Sequence, residues 1–176
     1  TKAIVCMHAS NVFGCVFPIK EIGKLAHDNG IIFIVDAAQS AGVLDIDAGR
    51  DNIDILCTPG HKGLYAPMGS GFIAVGDGIT LDTIIEGGTG SMSMILSQPK
   101  DLPDRLESGT LNNVAICGLA AGIDFVNNKK IDNIYNHEKS LMNMVYKEMS
   151  KNENVTLYTP DFKDAFSAPI LSFNFK

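Results

Sequence analysis

Five consecutive residues, Ile31-Ile32-Phe33-Ile34-Val35, are all β-branched or aromatic, and the run stops abruptly at Asp36-Ala37-Ala38-Gln39-Ser40-Ala41-Gly42. So short and unbroken an apolar run suits a strand buried in a parallel sheet better than an antiparallel strand of alternating polarity. A helical pattern precedes it, closed by Asn29-Gly30, which gives the helix-then-strand half of an α/β unit. In such sheets ligands bind beyond the C-terminal ends of the strands, and Asp36 stands at that end. A carboxylate facing a cleft needs a cationic or hydrogen-bonding partner, for which a protonated ring nitrogen would serve. Asp is also a residue that caps a following turn, and the sequence leaves both readings open.

A second constraint lies downstream. Thr58-Pro59-Gly60-His61-Lys62-Gly63 connects the apolar segment Ile53 to Cys57 with the segment Gly71 to Val75, and Pro67-Met68-Gly69-Ser70-Gly71 adds a further glycine-rich turn. Lys62 therefore projects from a tight turn, where a neutral amine can form a Schiff base with a carbonyl compound. The plainer reading is a surface lysine in a glycine-rich loop. The connection to Gly71–Val75 is too short for a helical crossover, so that strand is expected to run antiparallel to its neighbour.

Elsewhere the pattern predicts a strand over 3 to 7, a helix over about 19 to 28, strands at 54 to 57 and 71 to 75, a glycine-rich loop from 86 to 110 and a helix from 113 to 126. Asn127 to Asn154 reads as a long amphipathic helix whose stripe of Ile131, Ile134, Tyr135, Leu141, Met144, Val145 and Met149 is expected to pack against a further domain. The strand Val155-Thr156-Leu157-Tyr158, a polar connection from Thr159 to Ala168, and an alternating segment over Ile170 to Phe175 follow. Strands alternating with helices imply a three-layer, mostly parallel α/β sheet. No internal repeat is visible.

Taken together, Val35-Asp36-Ala37-Ala38-Gln39-Ser40, Gly60-His61-Lys62-Gly63 and Arg105-Leu106-Glu107-Ser108-Gly109-Thr110-Leu111-Asn112 resemble the class V aminotransferases, fold type I enzymes that use pyridoxal 5′-phosphate (PLP), and among them the cysteine desulfurases. His8-Ala9-Ser10-Asn11-Val12-Phe13-Gly14 and Gly87-Gly88-Thr89-Gly90-Ser91 are similar to segments of the same enzymes, in the same order. The resemblance implies residues 1–126 as part of the PLP-binding large domain, and 127–176 as a connecting helix with the start of a small C-terminal domain.

It also implies roles. Lys62 would hold PLP covalently and then shuttle protons, Asp36 would pair with the pyridine nitrogen, and Gln39 would donate to the phenolic oxygen. His61 would contact the phosphate region, Asn11 would lie near the cofactor hydroxyl and the substrate carboxylate, and Thr110 would reach the phosphate of the neighbouring subunit of a homodimer. Asn11 equally suits a plain turn, and Thr110 an ordinary helix cap. Where many desulfurases have Ser two residues before the His, this chain has Pro59, so either Thr58 supplies the phosphate contact or the contact is missing. The implied activity is C–S bond cleavage of L-cysteine with transfer of sulfur to an acceptor protein; an aminotransferase or selenocysteine lyase is the alternative within the fold, and a catalytically silent α/β core or interaction domain the alternative outside it.

The 176 residues begin within one apolar run and end within another, so the chain reads as the middle of a longer protein, inactive by itself. The family's ring-stacking side chain, substrate arginine and sulfur-accepting cysteine are not recognisable in it. Cys6, Cys15, Cys57 and Cys117 lie in or beside apolar runs, are expected to be buried thiols, and show no metal-ligand spacing. Free thiols suit a reducing compartment, hence a cytoplasmic location. Fourteen Lys and Arg against twenty Asp and Glu give a net charge of -6, which argues against nucleic acid as a partner. No apolar run approaches the ~20 residues that span a bilayer.

Overall fold

The structure is a computed structural model that describes residues 1–176 except 90, 93, 160 and 162–166. Gly90 of the glycine-rich loop and most of the connection from 159 to 168 therefore lie outside the described residues. The elements follow in the order β1 (Ala3–Met7), α1 (Ile19–Asp28), β2 (Ile32–Asp36), β3 (Ile55–Pro59), β4 (Gly71–Val75), α2 (Asn113–Lys129), α3 (Ile131–Met149), β5 (Val155–Leu157) and β6 (Phe173–Phe175), with a short 3-10 turn at Asp104–Leu106.

The four-stranded sheet has the order β1-β2-β3-β4. β1, β2 and β3 pair in parallel, whereas β4 runs antiparallel to β3, as the short connection through Lys62 requires. α1 covers one sheet face. Phe33 and Val35 on that face are fully buried and pack with Ile19, Ala26 and Ile53, joined by Ile4, Cys6, Ile22 and Leu56. Gly23 lets the helix approach closely, since a Cβ there would sit 2.0 Å from the Asp51 carbonyl oxygen. The opposite face is more open, with Val5 72% and Ile73 56% exposed.

Local chemistry sets the element ends. Gly30 takes φ 62° and donates its N–H to the His27 carbonyl, which closes α1 where the Asn29-Gly30 pair predicts. The Asn112 side chain accepts the Ala115 N–H and caps α2. The boundary between the two expected helices falls a few residues later than the pattern places it: α2 runs on to Lys129, Lys130 adopts φ 69°, and α3 starts at Ile131. The stripe on α3 is also less buried than expected. Ile134 is buried, but Leu141, Met144 and Val145 are exposed. Periodicity reports which side chains share a helix face; it does not say whether anything lies on that face. The thiols differ in the same way, since Cys117 is exposed and the other three are half-buried.

One histidine ties β1 to this core. His8 is 5% exposed, its backbone N–H donates to the Asp36 carbonyl, and its Nδ1 is buried with no hydrogen-bond partner. Burial pushes its pKa below the usual 6.5, only partly opposed by nearby Asp51. The unfolded chain then binds the extra proton first, so His8 contributes stability that is present above pH 6.5 and lost as the pH falls below it. Urea denaturation across this range should show that loss, and His8→Gln should flatten it; an unchanged slope in the variant would assign the pH dependence to other groups.

Candidate active site

The parallel register brings the strand ends level. Met7 pairs with Asp36, and Asp36 with Cys57, across β1, β2 and β3. The Ala37 N–H then donates to the Cys57 carbonyl, so the chain leaves β2 while still held against β3. Asp36 is exposed at this edge, and its Oδ1 accepts the Ala38 N–H at 2.8 Å. The turn-capping role is thus real, yet it occupies only one oxygen. Among the described residues Oδ2 has no protein partner.

The turn that carries Lys62 is fixed by contacts on both sides. The Gly60 N–H donates to the Ser70 carbonyl, the Ala66 N–H to Gly60, and the Tyr65 N–H to Lys62. A Cβ on Gly60 would stand 2.4 Å from Ser70 Oγ, and one on Gly63 2.4 Å from the Ala41 carbonyl oxygen. Gly63 is therefore required by close approach to the Ala41 backbone, which pins the turn against the loop that follows Asp36, while Gly60 packs against the Ser70 side chain. Lys62 and His61 are exposed, and among the described residues no hydrogen bond or ion pair reaches either side chain.

Two cavities meet beside Ala38, which lines both. One, of about 640 Å3, holds Asp36, Cys57, Thr58 and Pro59. The other, of about 210 Å3, holds Gln39, Lys62, Gly63, Tyr65 and Glu138. Ala38 carries no signal of its own in the sequence beyond being a small residue between Asp36 and Gln39. Glu138 is far from these motifs in sequence and reaches the cavity only because α3 packs there. Burial pushes the Cys57 thiol pKa up, and the neighbouring Asp36 carboxylate adds to the effect. Cys57 therefore stays protonated, which suits a packed thiol and not a nucleophile. Thr58 is 6% exposed, and its hydroxyl donates to the Pro59 carbonyl at 3.3 Å.

Three expected residues lie apart. His61, although next to Lys62, lines neither cavity. Asn11 is exposed in the turn after β1, where Ser10 Oγ accepts the Val12 and Phe13 N–H groups, and it lines neither cavity. Thr110 lines a separate cavity of about 340 Å3 with Gly88, Thr89, Asp104, Glu107 and Asn113. Glu107 faces both this cavity and the one that holds Asp36.

An amine on a pinned turn, a carboxylate oxygen at a parallel strand end and an amide are gathered around one small side chain, Ala38. The family model for aminotransferase class V matches residues 1–176, and the chain belongs to that family. It is 34% identical to a probable cysteine desulfurase of Methanothermobacter thermautotrophicus over 99% of this chain and 44% of that protein. It is also 34% identical to a cysteine desulfurase of Enterobacter sp. strain 638, over 99% of this chain and 43% of the other. An apo cysteine desulfurase structure from Thermococcus onnurineus NA1 superposes with a TM-score of 0.84 at 33% identity, over 98% of this chain and 44% of that one. The chain thus spans less than half the length of these relatives.

The two roles of the turn, scaffold and chemistry, are separable. Gly63→Ala forces a Cβ onto the Ala41 carbonyl and should destabilise the chain by about 1–3 kcal/mol. Lys62→Ala, at an exposed position without a partner, should change stability by no more than about 0.5 kcal/mol. Chemical denaturation of both variants checks this, and a large loss in Lys62→Ala would mean that the lysine is structural.

Proposed function

We propose that the full-length protein is a PLP-dependent cysteine desulfurase that cleaves the C–S bond of L-cysteine and passes the sulfur to an acceptor protein. The observation that carries the reading is the convergence of Lys62, Asp36 and Gln39 on two adjoining cavities around Ala38. The names of the relatives support the same substrate. The residues fit the cofactor: the unused Asp36 Oδ2 can accept an N–H from a pyridinium ring, and among the described residues Lys62 Nζ has no competing partner. When bound, PLP withdraws electron density from the substrate carbon.

In this reading Lys62 holds the cofactor covalently and later moves protons at Nζ. Asp36 keeps the ring nitrogen protonated through a charge-assisted hydrogen bond, while Gln39 donates to the phenolic oxygen. His61, exposed beside Lys62, faces the phosphate. Thr58 is the weakest member, because its hydroxyl is engaged with Pro59. Asn11 lines neither cavity, so a contact with the substrate end would need a substrate that reaches beyond them. Residues 1–126 serve as the cofactor-binding unit and 127–176 as the link to a second domain. The protein acts in the cytoplasm; among the described residues no helix is long and apolar enough to cross a membrane. Borohydride reduction in the presence of PLP, followed by peptide mapping, should place the cofactor mass on the Lys62 peptide. Attachment at Lys20 or Lys24 instead would refute the assignment.

Thr110 implies a two-chain site. Ile84, Met94 and Leu96 are 98%, 97% and 94% exposed in the segment that leads to it, an apolar surface that suits burial in a homodimer. Its cavity also holds Asp104 and Glu107, so a phosphate would meet carboxylates there as well as the Thr110 hydroxyl, and the role of Thr110 needs a direct test. Mixing full-length Lys62→Ala with full-length Thr110→Ala should restore part of the desulfurase activity, because one of the two sites in each heterodimer is then intact. Demonstrated subunit exchange without recovery would place Thr110 in its own chain's structure.

A further inference from the structure

Among the described residues the cavity that contains Lys62 has one acidic side chain, and it is unmatched. Glu138 is half-buried on α3, and among the described residues neither a hydrogen bond nor an ion pair reaches its carboxyl. Lys62 shares the cavity but makes no ion pair with it. A half-buried carboxyl group without a partner is costly unless something arrives to match it. The cavity, of about 210 Å3, falls below the ~300–1,000 Å3 of sites for drug-sized ligands, so its occupant is small. Its other polar groups are Gln39 and Tyr65, and Pro169 and Ile170 supply an apolar wall.

We propose that Glu138 receives the ammonium group of the incoming amino acid at the Lys62 cavity. This rests on the reading of the chain as an amino-acid-converting enzyme. Burial raises the Glu138 pKa, His137 beside it on α3 lowers it slightly, and the same carboxyl group helps to raise the Tyr65 pKa. Such a carboxylate is a better base than an exposed one. On binding, one N–H bond of the ammonium breaks and the proton passes to a Glu138 carboxylate oxygen. The electron pair stays on nitrogen, which becomes the nucleophile that amino-group chemistry beside Lys62 requires. Tyr65, still protonated, is the neighbouring hydrogen-bond donor, and its ring rests edge-on against Phe125, 4.9 Å between centroids.

The test uses the full-length protein with added PLP and glycine, an amino acid that has no sulfur to lose. Glycine binding is read from the shift in cofactor absorbance across a range of pH. Glu138→Gln keeps the size and removes the base. It should weaken glycine binding about tenfold or more and abolish the acid limb of the pH profile, with an unchanged melting temperature; Glu138→Asp should recover part of the affinity. Unchanged affinity and pH profile in Glu138→Gln would overturn the proposal, as would a loss that merely tracks a fall in melting temperature in both variants. If the unsubstituted protein develops no cofactor absorbance at all, the PLP reading itself fails and the role of Glu138 with it.

Discussion

The parallel register of β1, β2 and β3 is the constraint on which the site depends. It brings Met7, Asp36 and Cys57 level at one edge of the sheet, and the Ala37-to-Cys57 hydrogen bond carries the pairing one residue further. Because the strands are parallel, the loop that follows β2 and the turn that follows β3 emerge on the same edge. Asp36 and Lys62, 26 positions apart in sequence, face adjoining cavities for that reason. A slip of one residue in β2 would turn Asp36 toward the opposite face, since side chains alternate along a strand.

The second requirement is close approach. Lys62 is useful only if its turn cannot drift, and backbone contacts at Gly60 and Gly63 hold it. The lysine side chain contributes nothing to that scaffold. This division, rigid backbone below and an unengaged side chain above, is what a covalent anchor needs, because a lysine already paired with a carboxylate would remain protonated and unreactive. Asp36 divides its labour in the same manner: one oxygen fixes the Ala38 turn and the other has no hydrogen-bond partner among the described residues.

Much of the architecture was legible in the chain. The apolar run at 31 to 35, the Asn29-Gly30 stop and the brief connection through Lys62 led directly to β2, the end of α1 and the antiparallel β4, because each is a local signal with a local cause. A break between two helices was legible near residue 126, but its place at Lys130 was not, since neither Pro nor Gly marks it and the left-handed backbone there is a single-residue departure. The exposure of Leu141, Met144 and Val145 on α3 was not legible either, because amphipathicity records a preference for burial and says nothing of what is available to provide it.

For the site, the sequence by itself singled out the candidate groups: a lysine between glycines, a carboxylate at the end of an apolar strand and a glutamine three residues on. Those are properties of residue type and short spacing, and they survive without coordinates. Only the tertiary structure decided how the groups are shared out. It joined Gln39 with Lys62 and Asp36 with Thr58 in two cavities bridged by Ala38, left Asn11 outside both, gave Thr110 a cavity of its own, and brought Glu138 from α3 to the lysine. Proximity between residues so far apart in the chain is set by helix and strand packing, which no local pattern encodes.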